Sequence, residues 1–472
     1  MNDILLPIVQ TINTYLSDYI LVILLLGCGL WFSIKTKFVQ VRCFGEGMKN
    51  VFGKLSLNGG KQGGGMSSFQ ALATAIAAQV GTGNIVGACG AILVGGPGAI
   101  FWMWIIAFLG MATIYAEAVL AQKTRIKKDN GQVLGGPVYY IRTAFKGTFG
   151  KIMAGFFAVA IILALGFFGC MVQSNSIGST AETAFGIPSW VVGIALVIIA
   201  GFIFLGDMDR LASVTEKIVP IMAVLYLVGG LIIFFGNITK VPEAFGLIFK
   251  YAFAPQAIIG GAFGAAIKKA ISQGAKRGLF SNEAGMGSTP HAHAQANVKD
   301  PHEQGTVAMI GVFIDTFVVL TITALTVIIT LYTKGGILAD GTIPEAINKT
   351  NLAQTAFGTL LGEAGGNMFI AVALFFFAFS TVLGWNMFGK INVQYLFGKN
   401  PKTEKIATYV YTAISLIFIF LGTLASNDLV WELSDMFNQL MVIPNVIGLV
   451  ACTGLVVSAT HFGKKDELKV VE

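Results

Sequence analysis

The chain has 472 residues, 55% of them apolar and only 12% charged, where a soluble domain uses about 25% charged residues to face water. That excludes a soluble enzyme, a disordered chain and a small disulfide scaffold, and it leaves an all-α polytopic membrane protein. The net charge of +7 is spread over alternating loops rather than gathered on one face, which fits membrane topology and no nucleic-acid partner.

Stretches of about 20 residues without charge are the candidate spans. The first lies between Asp18 and Lys35. Gln62 to Ala116 carries no Asp, Glu, Lys or Arg and is long enough for two spans, joined by the turn GGPG at 95–98. Further runs cover 152–181, 183–206, 218–239, 251–267, 316–333, 364–389, 406–427 and 436–463. Run 251–267 continues into a polar, Gly-rich stretch ending near 298. The expected total is 11 transmembrane helices, one extra and then ten. The corresponding segments are 1–66, an extra N-terminal helix and cytoplasmic loop; 67–236, a first five-helix repeat; 237–460, a second; and 461–472, a cytoplasmic tail.

Lys and Arg set the sides. Loops 35–66, 123–151, 207–217, 288–304, 390–405 and the C-terminal tail hold 23 of the 31, and the alternate loops hold four, Lys240, Lys250, Lys334 and Lys349. The richer set is expected inside a bacterial or archaeal cytoplasmic membrane, with the N-terminus outside and the C-terminus cytoplasmic. Asp3 and the lack of an early Lys or Arg argue against a cleavable signal. The five cysteines form no Cys-x-x-Cys pair and read as small core residues.

The ten helices divide five and five, and each half opens on an interrupted helix. The first, 67–94, has QVGTGNIVG (79–87) in its middle. The second, about 268–298, has RGLFSNEAGMGS (277–288). Irregular, Gly-rich backbone at lipid depth survives only beside a protein-lined cavity. Small-residue helix contacts explain either segment alone. Two at matching positions are the pattern of inverted-repeat transporters that bind at the midplane.

Other motifs fail. GTGNIVG (81–87) lacks the strand and soluble βαβ unit of a dinucleotide site, and GWNMFGK (384–390) is followed by Ile391 where a P-loop needs Ser or Thr, so no nucleotide is expected. His291 and His293 have no third ligand at metal spacing and read as polar loop residues. Trp102 and Trp104 read as interfacial anchors. No catalytic constellation appears, so an enzyme is not expected. A channel would use pore loops in a symmetric oligomer, whereas this chain carries its own two-fold repeat.

GGPGAIFWMWIIAFLG (95–110) resembles the signature of the alanine or glycine:cation symporter family, and GTGNIVG, GGPVYY (135–140) and RGLFSNEAGMGS resemble further blocks of it. The resemblance covers about residues 20–460. It implies the leucine-transporter fold, a five-plus-five inverted repeat with one preceding helix, and inward movement of alanine or glycine with sodium. Proton coupling, through Glu283 or Asp315, and a preference for glutamine or serine stay open.

An amino acid needs donors for its carboxylate, and a helix interrupted at 81–84 offers N–H groups at its positive end. These fall near Gly81, Thr82 and Gly83. The ammonium needs acceptors, expected from carbonyls near Phe280 and Ser281 and the Asn282 side chain. Gln173 is the amide deep in run 152–181. Trp385 follows Thr381 by one helical turn and would narrow the site to alanine size. Arg277 and Glu283 read as a structural or gating pair, and Glu117, about 30 Å along a helix from Pro97, as reaching the inner interface.

The resemblance also implies a sodium site between the first and eighth core helices. Its ligands would be the carbonyls of Ala77, Val80 and Phe377 and the adjacent hydroxyls of Ser380 and Thr381. Asn84 would serve a second ion beside the substrate.

Overall fold

A computed structural model describes residues 2–53, 66–129, 131–206, 208–253 and 263–460. Much of the expected loop 35–66, positions 254–262 of run 251–267 and the expected tail 461–472 lie outside the described residues.

The chain opens with the long helix α1 (Ile4–Lys35), followed by the short α2 (Phe44–Phe52). Next come α3 (Ser68–Gln79) and α4 (Gly83–Gly95), two pieces of one span bent by 46°. A capping box starts α3: Ser67 Oγ accepts from the Gln70 amide and Gln70 Oε1 accepts from the Ser67 amide, both at 3.1 Å. It stops at Val80, whose backbone is extended. The GGPG turn then starts α5 (Gly98–Thr124), with Pro97 in the N-cap position.

After a short helix, Pro137–Ala144, come α6 (Gly147–Phe185), α7 (Ser189–Phe204), α8 (Arg210–Gly236) and α9 (Val241–Phe253). The second interrupted segment is α10 (Phe263–Asn282) and α11 (Pro290–His293). After it come α12 (Pro301–Tyr332), α13 (Leu352–Leu361), α14 (Glu363–Phe397), α15 (Pro401–Leu424) and α16 (Asp428–Ala451), with a short helix Thr453–Ala459 at the end. Strand pairing among the described residues is confined to a small antiparallel ladder, Ile126–Lys127 with Val133–Leu134, and a bridge between Met66 and Ala296.

Among the described residues, eight helices are long and apolar enough to cross a bilayer: α1, α5, α6, α8, α12, α14, α15 and α16. The bent pair α3–α4 makes nine. Length and apolarity alone do not reach the expected 11 among the described residues. The helix α7 has only 16 residues, and α10 carries Lys268, Lys269, Lys276 and Arg277. Trp102 and Trp104 are half-buried, and their indole N–H groups donate to Ala252 O (3.1 Å) and Thr321 Oγ1 (2.8 Å).

Burial marks the centre of the bundle. Residues 71–92, 274–296 and 377–389 are buried without exception. A helix buried on every side lies inside, surrounded by other helices. The two interrupted segments and the middle of α14 are therefore the core. Large apolar side chains such as Phe202, Ile198, Val224 and Ile417 are exposed on the outer helices α7, α8 and α15, as a lipid-facing surface requires.

Candidate functional site

The two interruptions meet. A Cβ on Gly83 would stand 2.9 Å from Ser281 Cα and 3.1 Å from the Phe280 ring. Asn84 links them further. Its Oδ1 accepts from the Gly81 amide (2.9 Å), and its Nδ2 donates to Asp315 Oδ1 (2.6 Å) and Asp315 O (3.1 Å). The Ser281 hydroxyl donates to the same carboxylate at 2.9 Å. Gln79 Nε2 donates to the Asn282 carbonyl at 2.8 Å. An asparagine can serve both sides because its side chain carries an acceptor and two donors.

The second interruption falls later than the sequence suggested. Residues 277–282 are still helical, so Phe280, Ser281 and Asn282 form the last turn of α10 rather than the break. The irregular stretch begins at Glu283, with φ of 59°, and passes through Gly285 (91°) and Gly287 (82°). That conformation suits glycine and strains Glu283. The Glu283 carboxylate is held by Ser288 Oγ and Trp385 Nε1, which both donate to it. The expected pairing of Glu283 with Arg277 does not form. Arg277 instead contacts Asp435 on α16, with its Nη2 3.1 Å and its Nη1 3.2 Å from the carboxylate. Lys276 also reaches Asp435, at 2.8 Å. The Arg277 guanidinium stacks over Trp431 at 4.6 Å.

Five oxygens gather between α3 and α14. Ser380 Oγ lies 2.9 Å from Phe377 O and 3.3 Å from Ala77 O. Thr381 Oγ1 lies 3.0 Å from Ala77 O, 3.0 Å from Phe377 O and 3.5 Å from Val80 O. All five residues are buried. Two hydroxyl protons cannot satisfy that many carbonyl contacts, which leaves a cluster of lone pairs suited to a hard cation. Hydroxyl bonding back to Phe377 accounts for only part of it.

Gln173 on α6 closes one side. Its Oε1 accepts from the Thr82 amide (3.1 Å) and the Thr82 hydroxyl (2.6 Å), while its Nε2 is buried without a hydrogen-bond partner. Trp385 is wedged against Gly169, where a Cβ would stand 2.6 Å from the indole. Its ring meets Phe280 edge-on, with centroids 5.6 Å apart. The expected residues thus form two adjoining clusters, Ala77, Val80, Phe377, Ser380 and Thr381 in one, and Gly81, Thr82, Gly83, Asn84, Gln173, Phe280, Ser281 and Asn282 in the other. Trp385 packs on Phe280.

Four further acidic or basic positions bear on the site. Asp315 belongs to the second cluster, where it accepts from Asn84, Ser281 and Thr316. Its signal was an isolated carboxylate beside a long apolar run. Glu117 does not reach an interface: it is fully buried and accepts from the Gly285 amide (3.1 Å), the Gly287 amide (3.0 Å) and Asn445 Nδ2 (2.7 Å). His291 and His293 are buried as well. His291 stacks against Phe157 and Phe388, and its Nε2 pairs with Asn392 at 2.8 Å.

The sequence profile of the Sodium:alanine symporter family matches residues 2–469. The chain is 40% identical over 454 residues to the sodium/alanine symporter AgcS of Methanococcus maripaludis, covering 96% of each chain. It is 38% identical over 459 residues to a Bacillus subtilis protein named "Probable sodium/glutamine symporter GlnT", covering 97% of this chain and 91% of that one. Among solved structures, MhsT in complex with L-phenylalanine superposes with a TM-score of 0.56 at 13% identity, over 85% of this chain and 97% of that one. That likeness gives the fold, a helical bundle of the leucine-transporter type. With the family profile running through both interrupted helices and relatives aligned nearly end to end, the chain is a multi-span helical membrane protein and belongs to the sodium:alanine symporter family.

Proposed function

We propose that the protein is a secondary active symporter that imports a small neutral amino acid, alanine or glycine, coupled to sodium by alternating access. The observation that carries this reading is the five-oxygen cluster of Ala77, Val80, Phe377, Ser380 and Thr381, which adjoins the first interruption where Gly81 packs against Thr381. A sodium ion there would join α3 to α14. Sodium would then favour whichever arrangement keeps those helices together, and substrate that favours the same arrangement would share the free energy, typically about 1–3 kcal/mol.

The substrate carboxylate is assigned to the backbone near Gly81, Thr82 and Gly83. Gln173 Oε1 already rests on the Thr82 amide and hydroxyl, so it stands where a carboxylate oxygen would be received. Rotation of Gln173 would release both donors, and its unpartnered Nε2 would become a third. The ammonium is assigned to the last-turn carbonyls of Phe280 and Ser281, because Asn282 already uses its carbonyl for Gln79 and its side-chain oxygen for the Ala284 amide. Trp385 sets the size limit and favours alanine or glycine over glutamine. Asn84, Asp315 and Ser281 are assigned to a second ion.

The two repeats, 67–236 and 237–460, would rock around this centre in the cytoplasmic membrane, with the N-terminus outside and the C-terminus inside. A second reading, proton coupling, draws on Asp315, a buried carboxylate that accepts hydrogen bonds and touches no described cation. The test is uptake of labelled alanine into proteoliposomes under an imposed sodium gradient. Accumulation above equilibrium supports the proposal. Accumulation driven by a proton gradient without sodium replaces it with the second reading, and no accumulation under either gradient rejects both.

A further inference from the structure

We propose that Cys43, Glu46 and His302 form a binding site for a divalent cation of the zinc class. The three residues come from two elements far apart in sequence. Cys43 closes the turn before α2, Glu46 lies in its first turn, and His302 is the second residue of α12. Their ligand atoms all lie within 4.8 Å of one another.

The donor set is thiolate, imidazole and carboxylate, which suits zinc or cobalt and is poor for sodium or magnesium. Three protein ligands leave a fourth position for water. His302 Nε2 stands 3.4 Å from Glu46 Oε2. Metal bonds of about 2.0 Å at the tetrahedral angle set those two atoms about 3.3 Å apart. The sulfur edges would be about 3.6 Å, so Cys43 Sγ has little more than an ångström to close.

The imidazole is already oriented as a ligand. Its Nδ1 pairs with the Tyr115 hydroxyl at 2.7 Å, which leaves Nε2 toward the site. Its amide donates to Asp300 Oδ1 at 2.9 Å, which anchors the first turn of α12. Outer partners of this kind fix the tautomer and aim of metal-bound histidines. Access is open on one side, since the Glu46 side chain is 40% exposed while Cys43 is buried.

Binding expels the Cys43 thiol proton to solvent as sulfur takes the metal. The bound cation would staple the start of α2 to the start of α12. Those helices already pack together: Asn50 Nδ2 donates to Thr306 Oγ1 at 3.1 Å. The site stands apart from the symport reading and is tested without transport.

The experiment is titration of the purified full-length protein in detergent with Co2+, followed by displacement with Zn2+. The expected result is one equivalent bound, with a thiolate-to-cobalt absorption band that Zn2+ abolishes. Cys43→Ser removes the band, Glu46→Gln weakens binding by about tenfold or more, and Zn2+ raises the melting temperature of the natural protein but not of Cys43→Ser. Should Cys43→Ser not fold, Glu46→Gln and alkylation of the natural protein under Co2+ carry the test. Binding that Glu46→Gln leaves unchanged, or a protein that binds Co2+ without a thiolate band, overturns the proposal.

Discussion

Gly83 and Ser281 touch where the two interrupted helices cross, with room for a hydrogen and nothing larger: a Cβ at Gly83 would sit 2.9 Å from Ser281 Cα. The obstacle is backbone, which cannot step aside as a side-chain tip can. Gly83→Ala should therefore push the two helices apart at the assigned carboxylate seat, at a cost of about 1–3 kcal/mol. The expected outcome is alanine uptake reduced by about tenfold or more in a protein that still inserts and purifies. Uptake at the natural rate would remove this crossing from the site.

The adjacent hydroxyls are the sharpest probe of sodium. Each of Ser380 and Thr381 faces carbonyls of both α3 and α14. The double change Ser380→Ala, Thr381→Ala leaves the three carbonyls without their hydroxyl partners and removes two of the five assigned ligands. Alanine uptake measured against sodium concentration should shift steeply to higher sodium or vanish. An unshifted sodium dependence would sink the assignment and favour coupling through Asp315.

Trp385 tests size selection. Its indole packs on Phe280 and its N–H donates to Glu283. Trp385→Ala removes the wall and the donor together, and competition by larger amino acids should strengthen while alanine weakens. Trp385→Phe keeps an apolar wall but drops the donor. If Phe retains the natural selectivity and Ala does not, the wall sets size, and the bond to Glu283 serves structure. An unchanged profile in both would make Trp385 plain packing.

Asp315 separates a second sodium from a proton. Asp315→Asn keeps the shape and removes the charge that faces Asn84 and Ser281. With a second sodium there, the sodium activation curve should become less steep. With a proton there, the sodium curve should hold and the dependence of uptake on a pH gradient should disappear.

Much of this centre was legible because its chemistry is local. Gly81, Thr82, Gly83 and Asn84 stand together in an apolar helix, where glycine and polar residues signal an interruption whatever surrounds them. Ser380 and Thr381 stand out through the family likeness and their adjacency, and the structure sets both against carbonyls of α3 and α14. The departures at the site concern partners and helix levels set by tertiary packing. Arg277 lies 158 positions from Asp435, and nothing near either residue marks the pair. Counting helix rise from Pro97 puts Glu117 at an interface, but that count fixes a length along α5 and not the level at which α10 ends. The later start of the second interruption has the same cause. The sequence shows that 277–288 is polar and rich in glycine, whereas the end point at Asn282 depends on which groups wait to receive the freed amides.

Glu117 is the group that receives them, and it yields the last prediction. Its two oxygens accept from the Gly285 and Gly287 amides, and Asn445 Nδ2 braces it while also donating to Gly285 O at 2.8 Å. The Tyr140 hydroxyl holds Asn445 in turn. One carboxylate thus takes the place of the hydrogen bonds that α10 would have made had it continued. Glu117→Ala leaves two buried N–H groups without acceptors, about 1–3 kcal/mol each. Glu117→Gln keeps one acceptor oxygen and presents an NH2 group to the other amide, so it should fall between. The measurement is the melting temperature in detergent beside alanine uptake. The expected order of both is natural protein, then Gln, then Ala. Equal melting temperatures for all three would mean that water or a shifted backbone satisfies the amides, and the irregular stretch would then owe its shape to Glu283 and the two glycines alone.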